Sequence, residues 1–271
     1  MHSLKNSVAK RLYTWRLAND RCAKVWAGQY WQEKAGTRVI SCKKCPKFNP
    51  KTDECSIPFG SPIRKCVTAA QEANLHSLFG KDLIEIGFGK HSIPKQLVTS
   101  AGGTWTGIEP KVPESQKAEF GKGGFGYVAD IPFPDSTFDF VAGIQSIEHW
   151  AQSSPDPTTE EEHRKGLQEV MRVLKPKGSI YFCAPVHLHG HEIFVTGDVQ
   201  RIRNIFEPLP LTNLRIEKWR EEYAPLERYA TPDGDVKSWE GTISSYSKQL
   251  LEDIRLNGSV ELITIKADKV G

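Results

Sequence analysis

The sequence predicts an α/β fold, a mostly parallel seven-stranded sheet with helices on both faces, preceded by an N-terminal helical module that carries four cysteines. Three observations point there. From residue 80 onward, short apolar runs alternate with helical patterns, the arrangement that builds parallel sheets. One run, Leu83-Ile84-Glu85-Ile86, ends in Gly87-Phe88-Gly89 and passes into the helical spacing of Ile93, Leu97 and Val98, which reads as strand, glycine turn, helix. Ahead of this domain, Cys42, Cys45, Cys55 and Cys66 occupy a stretch rich in Pro, Lys and Asn and poor in aliphatic residues. These features divide the chain into a basic helical and cysteine-bearing module at 1–66 and a larger domain at 67–271. The larger domain contains an insertion at about 192–258, where the strand-helix pattern is lost.

Residues 4–34 carry Val8, Leu12, Trp15, Trp26 and Tyr30 at spacings that predict a helix with an aromatic side. The four cysteines follow as C-x2-C, then nine residues, then ten. A C-x2-C knuckle places two thiolates on one ion, and two more cysteines complete a tetrahedron that suits structural zinc. An iron–sulfur cluster is the alternative. Cys22, in a helical pattern, and Cys183, in an apolar run, are expected to be buried thiols. A linking helix is expected over 67–79, then the strand at 82–86. Thr104 to Ile108 forms a second strand ending in Glu109, about 20 residues past the glycine turn, where an acid can take both hydroxyls of a ribose. Further strands are expected at 125–129, 138–143, 178–185, 213–217 and 260–267. A helix with Leu167, Val170, Met171 and Leu174 on one face is expected to open on a Thr158-to-Glu161 capping box, and another helix over 197–206.

With these residues in view, the chain resembles the class I S-adenosylmethionine-dependent methyltransferases, in particular the broad group acting on small molecules and saccharides. The resemblance rests on four blocks in order: the Asp82–Ser92 loop, Glu109, Tyr127-Val-Ala-Asp130-Ile131-Pro-Phe-Pro-Asp135, and Glu169-Val-Met-Arg-Val-Leu-Lys-Pro-Lys-Gly178. It implies a Rossmann-like methyltransferase fold that binds S-adenosylmethionine. The glycine loop with Glu85, Gly87, Phe88 and Gly89 would lie under the methionine and ribose, Glu109 would hold the ribose, and Asp130 with Ile131 would meet the adenine. Gln145 falls on the adenine side. Two positions depart from the pattern: His91 stands where a third glycine is common, and Lys177 where a glycine often follows the proline.

Methyl transfer to a hydroxyl needs an aligned acceptor and a proton acceptor. His149, in Ser146-Ile-Glu148-His149-Trp150 after the fourth strand, is the candidate base, and the resemblance places a histidine there. Its bland reading is a histidine that shapes the loop. His187, His189 and His191 follow the fifth strand at the same end and are candidates for a substrate wall or a second metal site, with Arg201 as a phosphate or carboxylate contact. The expected acceptor is a small polar molecule, saccharide or phosphorylated, methylated on a hydroxyl.

Charge leaves a second substrate class open. Residues 1–66 hold 14 Lys or Arg against 4 Asp or Glu, whereas the rest holds 22 against 29. So basic a module could grip an RNA backbone, making the chain an RNA methyltransferase. A nicotinamide oxidoreductase fits less well, because Ser92 stands where that fingerprint wants glycine or alanine. A non-catalytic cofactor-binding protein is the remaining alternative. No apolar run approaches the roughly 20 residues of a membrane span, and residues 1–11 lack the apolar centre of a secretory signal. The expectation is therefore a cytoplasmic protein.

Overall fold

The computed structural model describes residues 31–34, 37–40, 48–49, 54–55, 80–88, 93–100, 102–110, 126–151, 159–186, 190–221 and 261–271. Cys42, Cys45, Cys66, Gly89, His187 and His189 lie outside the described residues, as do the expected linking helix at 67–79 and most of the expected helix at 4–34.

Among the described residues ten strands follow one another: β1 (Trp31–Lys34), β2 (Thr37–Ile40), β3 (Phe48–Asn49), β4 (Glu54–Cys55), β5 (Asp82–Ile86), β6 (Thr104–Ile108), β7 (Phe138–Ile144), β8 (Leu174–Val186), β9 (Leu211–Glu221) and β10 (Glu261–Lys269). The helices described are α1 (Ile93–Ser100), α2 (Glu161–Val173), α3 (Glu192–Val195) and α4 (Val199–Phe206), with a 3-10 turn at Ile147–His149. Eight strands form one sheet in the order β1-β2-β9-β10-β8-β7-β5-β6, and β3 pairs with β4 separately. The six strands from β5 to β10 make the body of a Rossmann-like sheet, and β1 and β2 extend its β9 edge.

The central strands are buried because both faces are covered. Ile180 to Ala184 of β8 are each 0 % exposed, as a strand with neighbours on both edges and layers on both sides requires. On one face Ile84, Val141, Ile180, Phe182, Ile263 and Ile265 pack against Leu167, Val170 and Met171 of α2 and against Phe194, Ile202, Ile205 and Phe206. The i, i+3, i+4 spacing in α2 turns His163, Gly166, Leu167, Val170 and Met171 inward. Each fully buried large aliphatic or aromatic side chain here contributes roughly 1.5–3 kcal/mol. The chain leaves β5 for β6 on one side and then for β7 on the other, all three parallel. This is the switch point at whose carboxyl ends ligands bind in such sheets.

Several expectations are corrected. The body of the sheet has six strands rather than the expected seven, and it is mixed: β5 to β9 run parallel, as expected for most of the sheet, whereas β10 runs antiparallel to β8 and β9 and returns between them. Among the described residues 126–129, the expected strand at 125–129 does not form. Asp130 N–H instead donates to Tyr127 carbonyl at 3.1 Å, closing a turn with one isolated bridge. Residues 31–34, expected as the end of a helix, form β1, which pairs antiparallel with β2. Glu160, not Thr158, is the N-cap residue of α2 and makes no side-chain cap bond. Leu174, expected on the helix face, already has extended backbone and opens β8. The expected helix at 197–206 begins at Val199, and Asp198 caps it by accepting from Gln200 and Arg201 N–H, both at 3.0 Å. Within the segment read as an insertion at about 192–258, the described residues 192–221 contain α3, α4 and β9.

Candidate functional site

The site is built at the carboxyl ends of β5, β6 and β7. β5 delivers Glu85, which is 2 % exposed and accepts a 2.8 Å hydrogen bond from Trp105 Nε1 on β6. Gly87 follows with φ +71°, a left-handed conformation that glycine adopts without strain, and its N–H donates to Ile108 carbonyl at 2.9 Å. The turn after β5 is thereby tied to the end of β6, one residue before half-buried Glu109. Phe88 is buried edge-on against Trp105, ring centroids 5.3 Å apart, so it supports the loop from behind.

The next element is the segment after β7. Gln145 has φ +53° and donates its N–H to Cys183 carbonyl at 2.9 Å, which binds the end of β7 to β8. A non-glycine residue held in the left-handed region just past the carboxyl end of a central strand is the kind of local strain that clusters at functional sites. Ser146 then approaches the Gly87 turn so closely that a Cβ on Gly87 would lie 2.4 Å from Ser146 Cβ. Ser146 is 6 % exposed, and its hydroxyl oxygen, buried between the two turns, has no hydrogen-bond partner among the described residues. A buried polar atom of this kind calls for an explanation such as a ligand or water.

His149 lies in the 3-10 turn, its side chain 25 % exposed and its Nε2 3.8 Å from the fully buried carboxylate of Glu148. Two further histidines support this turn. His163 of α2 is 0 % exposed, and its Nε2 lies 2.8 Å from Ile147 carbonyl. Burial, then the neighbouring His191, push its pKa down to about 3, against the smaller opposing effect of the Ile147 carbonyl. The ring is therefore neutral, and the carbonyl fixes its proton on Nε2. Trp150 stacks over the same ring, 6.3 Å between centroids.

His191 sits 4.8 Å from His163 by ring centroid and is 5 % exposed. Its N–H donates to Glu148 carbonyl at 2.8 Å, and its Nδ1 accepts from Ile193 N–H at 3.3 Å. The fold thus engages His191 as the start of α3. Gly190 just before it has φ +96°, and a Cβ there would fall 2.7 Å from Glu148 carbonyl oxygen. Arg201 pairs with Glu192 at 3.2 Å and Glu160 at 3.4 Å, so its charge is already matched within the chain.

Asp130 is exposed on the turn after Tyr127, beside the end of β6: a Cβ on nearby Gly126 would lie 3.6 Å from Ile108 side-chain atoms. Ile131 is 1 % exposed in the core, and its N–H donates to Glu169 Oε2 at 3.0 Å. It anchors the turn that presents Asp130. Sequence reasoning missed Ser146, His163 and the Glu169–Arg172 pair as parts of this region. The last two sit in a helix whose periodicity marks only which face is buried. Cys183 is buried as expected, its thiol pushed well up by desolvation.

Among the described residues no His, Cys, Asp and Glu group is arranged to hold a metal ion. Of the four cysteines expected to do so, Cys55 is described only as backbone, paired with Phe48 in the β3–β4 hairpin. No helix among the described residues is long and apolar enough to cross a membrane.

The residues present fit an adenosyl cofactor: a glycine turn, an acid after the second strand, an exposed acid on the next turn and a buried hydroxyl without a partner among the described residues. Residues 84–182 match the family described as methyltransferase domain. O-methyltransferase resE of Aspergillus sclerotiorum is 27 % identical over 129 residues, 44 % of this chain and 45 % of that one. The chloroplastic 2-methyl-6-phytyl-1,4-hydroquinone methyltransferase 1 of Oryza sativa subsp. japonica is 39 % identical over 62 residues, 23 % of this chain and 16 % of that one. The aligned stretches thus span less than half of either relative. The crystal structure of a SAM dependent methyltransferase from Archaeoglobus fulgidus superposes with a TM-score of 0.46 at 18 % identity, covering 76 % of this chain and 94 % of that one. The stretch from residue 84 to residue 182 is therefore that of a methyltransferase domain.

Proposed function

We propose that this chain transfers a methyl group from S-adenosylmethionine to a small polar acceptor, a hydroxyl of a sugar or related metabolite. The observation that carries the reading is the turn at Gly87, bonded to the end of β6 and pressed against Ser146 at the switch point of a methyltransferase domain. S-adenosylmethionine, when bound, supplies a methyl carbon made electrophilic by its sulfonium. Glu109 would accept from the ribose hydroxyls, and Asp130, an acceptor when ionised, would take the amino group of the base. His149 would take the acceptor's proton as the new oxygen–carbon bond forms and the carbon–sulfur pair returns to sulfur. An O-methyltransferase among the relatives fits a hydroxyl acceptor.

The cysteine module is proposed to bind structural zinc through Cys42, Cys45, Cys55 and Cys66. Its support is the C-x2-C spacing and the hairpin that pairs Cys55 with Phe48, three residues past Cys45 in the chain. The basic charge of residues 1–66 favours one second reading, methylation of RNA.

Calorimetry with S-adenosylhomocysteine, S-adenosylmethionine and NADH tests the cofactor, and release of S-adenosylhomocysteine across a panel of saccharide, phosphorylated and RNA acceptors tests the substrate. Binding of both adenosyl ligands but not NADH, with loss in Glu109→Ala, is expected. Affinity for NADH alone would overturn the reading. Turnover on RNA with strong salt dependence would move it to the second.

A further inference from the structure

We propose that Glu169 and Arg172 of α2 are positioning residues for the cofactor's base, holding the 131–135 loop so that Asp130 stands where adenine must be read. This inference rests on the methyltransferase reading given above. All five N–H donors of a guanidinium are spent here. Arg172 Nε and Nη2 donate to the two Glu169 carboxylate oxygens, each at 2.8 Å. Nη2 also donates to Ile131 carbonyl at 2.8 Å, and Nη1 to Phe133 carbonyl at 2.7 Å and Asp135 Oδ1 at 2.9 Å. Glu169 Oε2 accepts from Ile131 N–H at 3.0 Å. Both backbone polar groups of Ile131 are thus held by side chains one helical turn apart, and the Ile131 side chain is sunk in the core. On the other side, Asp130 N–H is fixed to Tyr127 carbonyl. Asp130 is gripped before and after, and its own side chain is left exposed.

A planar fork is required, because the acceptors lie in different directions around one group. Lysine, with three donors on one nitrogen, cannot reach them together. The Arg172 hydrogen bonds hold the Glu169 carboxyl below its usual range, so the pair stays ionised at neutral pH. If the loop only stabilised the fold, loosening it would lower stability without changing what the base site recognises. If it positions Asp130, loosening it should erase the distinction between a base that donates from its 6-amino group and one that carries a keto oxygen there.

The test uses the full chain and calorimetry with S-adenosylhomocysteine and S-inosylhomocysteine, its 6-keto analogue. Arg172→Met is expected to weaken S-adenosylhomocysteine about tenfold, equivalent to about 1.4 kcal/mol, and to bring the ratio of the two affinities close to one. Arg172→Lys should recover only part of this, and Glu169→Gln, which keeps an acceptor for Ile131 N–H, should cause a milder loss if Arg172→Met does not fold. Lys175→Met is the control. Lys175 pairs with Asp82 at 3.3 Å and Asp139 at 3.2 Å, at the amino ends of β5 and β7, so its loss should lower the melting temperature and leave both affinities unchanged. Arg172 and Glu169 variants that melt earlier but keep the wild-type ratio would overturn the inference alone. A wild-type chain that binds neither compound would overturn the methyltransferase reading and this inference with it.

Discussion

A Cβ on Gly87 would lie 2.4 Å from Ser146 Cβ, closer than carbon atoms of separate residues can pack. Gly87→Ala therefore forces the turns after β5 and β7 apart and places a Cβ at φ +71°. The left-handed conformation alone costs about 1–2 kcal/mol and the overpacking a further 1–3 kcal/mol. We expect a loss of about 2 kcal/mol or more in chemical denaturation and no detectable S-adenosylhomocysteine binding. Adding Ser146→Gly to Gly87→Ala should restore part of the stability, and additive effects of the two changes would argue against the contact.

His163 makes the fold acid-sensitive. Its folded pKa of about 3 lies below the 6.5 of an unfolded chain. The unfolded state therefore takes up a proton that the folded state refuses. The associated stability is complete above pH 6.5 and is lost as pH falls toward about 3, with a slope of up to about 1.4 kcal/mol per pH unit. His163→Gln retains a donor for Ile147 carbonyl and should give a flatter curve over that window. Equal slopes for the two proteins would show that His163 does not carry the effect.

Lys177 has φ +63° near the start of β8, where the pairing register with β7 shifts between Leu174 and Ser179. Lys177→Gly relieves the left-handed strain and is expected to raise stability by about 1 kcal/mol. The check is the denaturation midpoint at constant m-value, and an unchanged or lower midpoint would count against the strain.

His149→Gln should retain S-adenosylhomocysteine affinity within about twofold while turnover on a hydroxyl acceptor falls about 100-fold or more, the range for loss of a general base. Equal loss of binding and turnover would make His149 a loop-shaping residue.

Protein purified without oxidation is expected to carry one zinc per chain, and Cys42→Ser with Cys45→Ser to lose the metal and most soluble protein. Iron with a visible charge-transfer spectrum would replace zinc by a cluster. Metal-free protein that melts at the same temperature as the purified form would remove the module altogether.

The strands around the site were legible because burial on both faces leaves its mark in continuous apolar runs: Leu83 to Ile86, Phe138 to Ile144 and Ile180 to Val186 each stand out locally. Gly87 and Glu109 were legible for a related reason, since a turn and an acid at fixed distances from strands are constraints on the chain itself. The turn at 127–130 was misread because Tyr127, Val128 and Ala129 have the composition of a strand. Tyr127 is nevertheless 49 % exposed, and the i to i+3 bond closes before pairing can begin. The roles of His163 and Arg172 depend on partners 16 and 41 residues away, Ile147 and Ile131, which no local pattern announces. Strand direction was hidden as well, because an apolar run such as Leu262 to Ile265 reads identically in either sense.

β10 occupies the slot between β8 and β9, with partners along both edges. During synthesis, therefore, two long strands emerge from the ribosome with facing, unsatisfied amide rows and must wait for residues 261–269 before the gap is filled. Until then each row is a template for another nascent chain. Completion of the sheet is coupled to arrival of that segment, and excising it should yield aggregates rather than a smaller working enzyme.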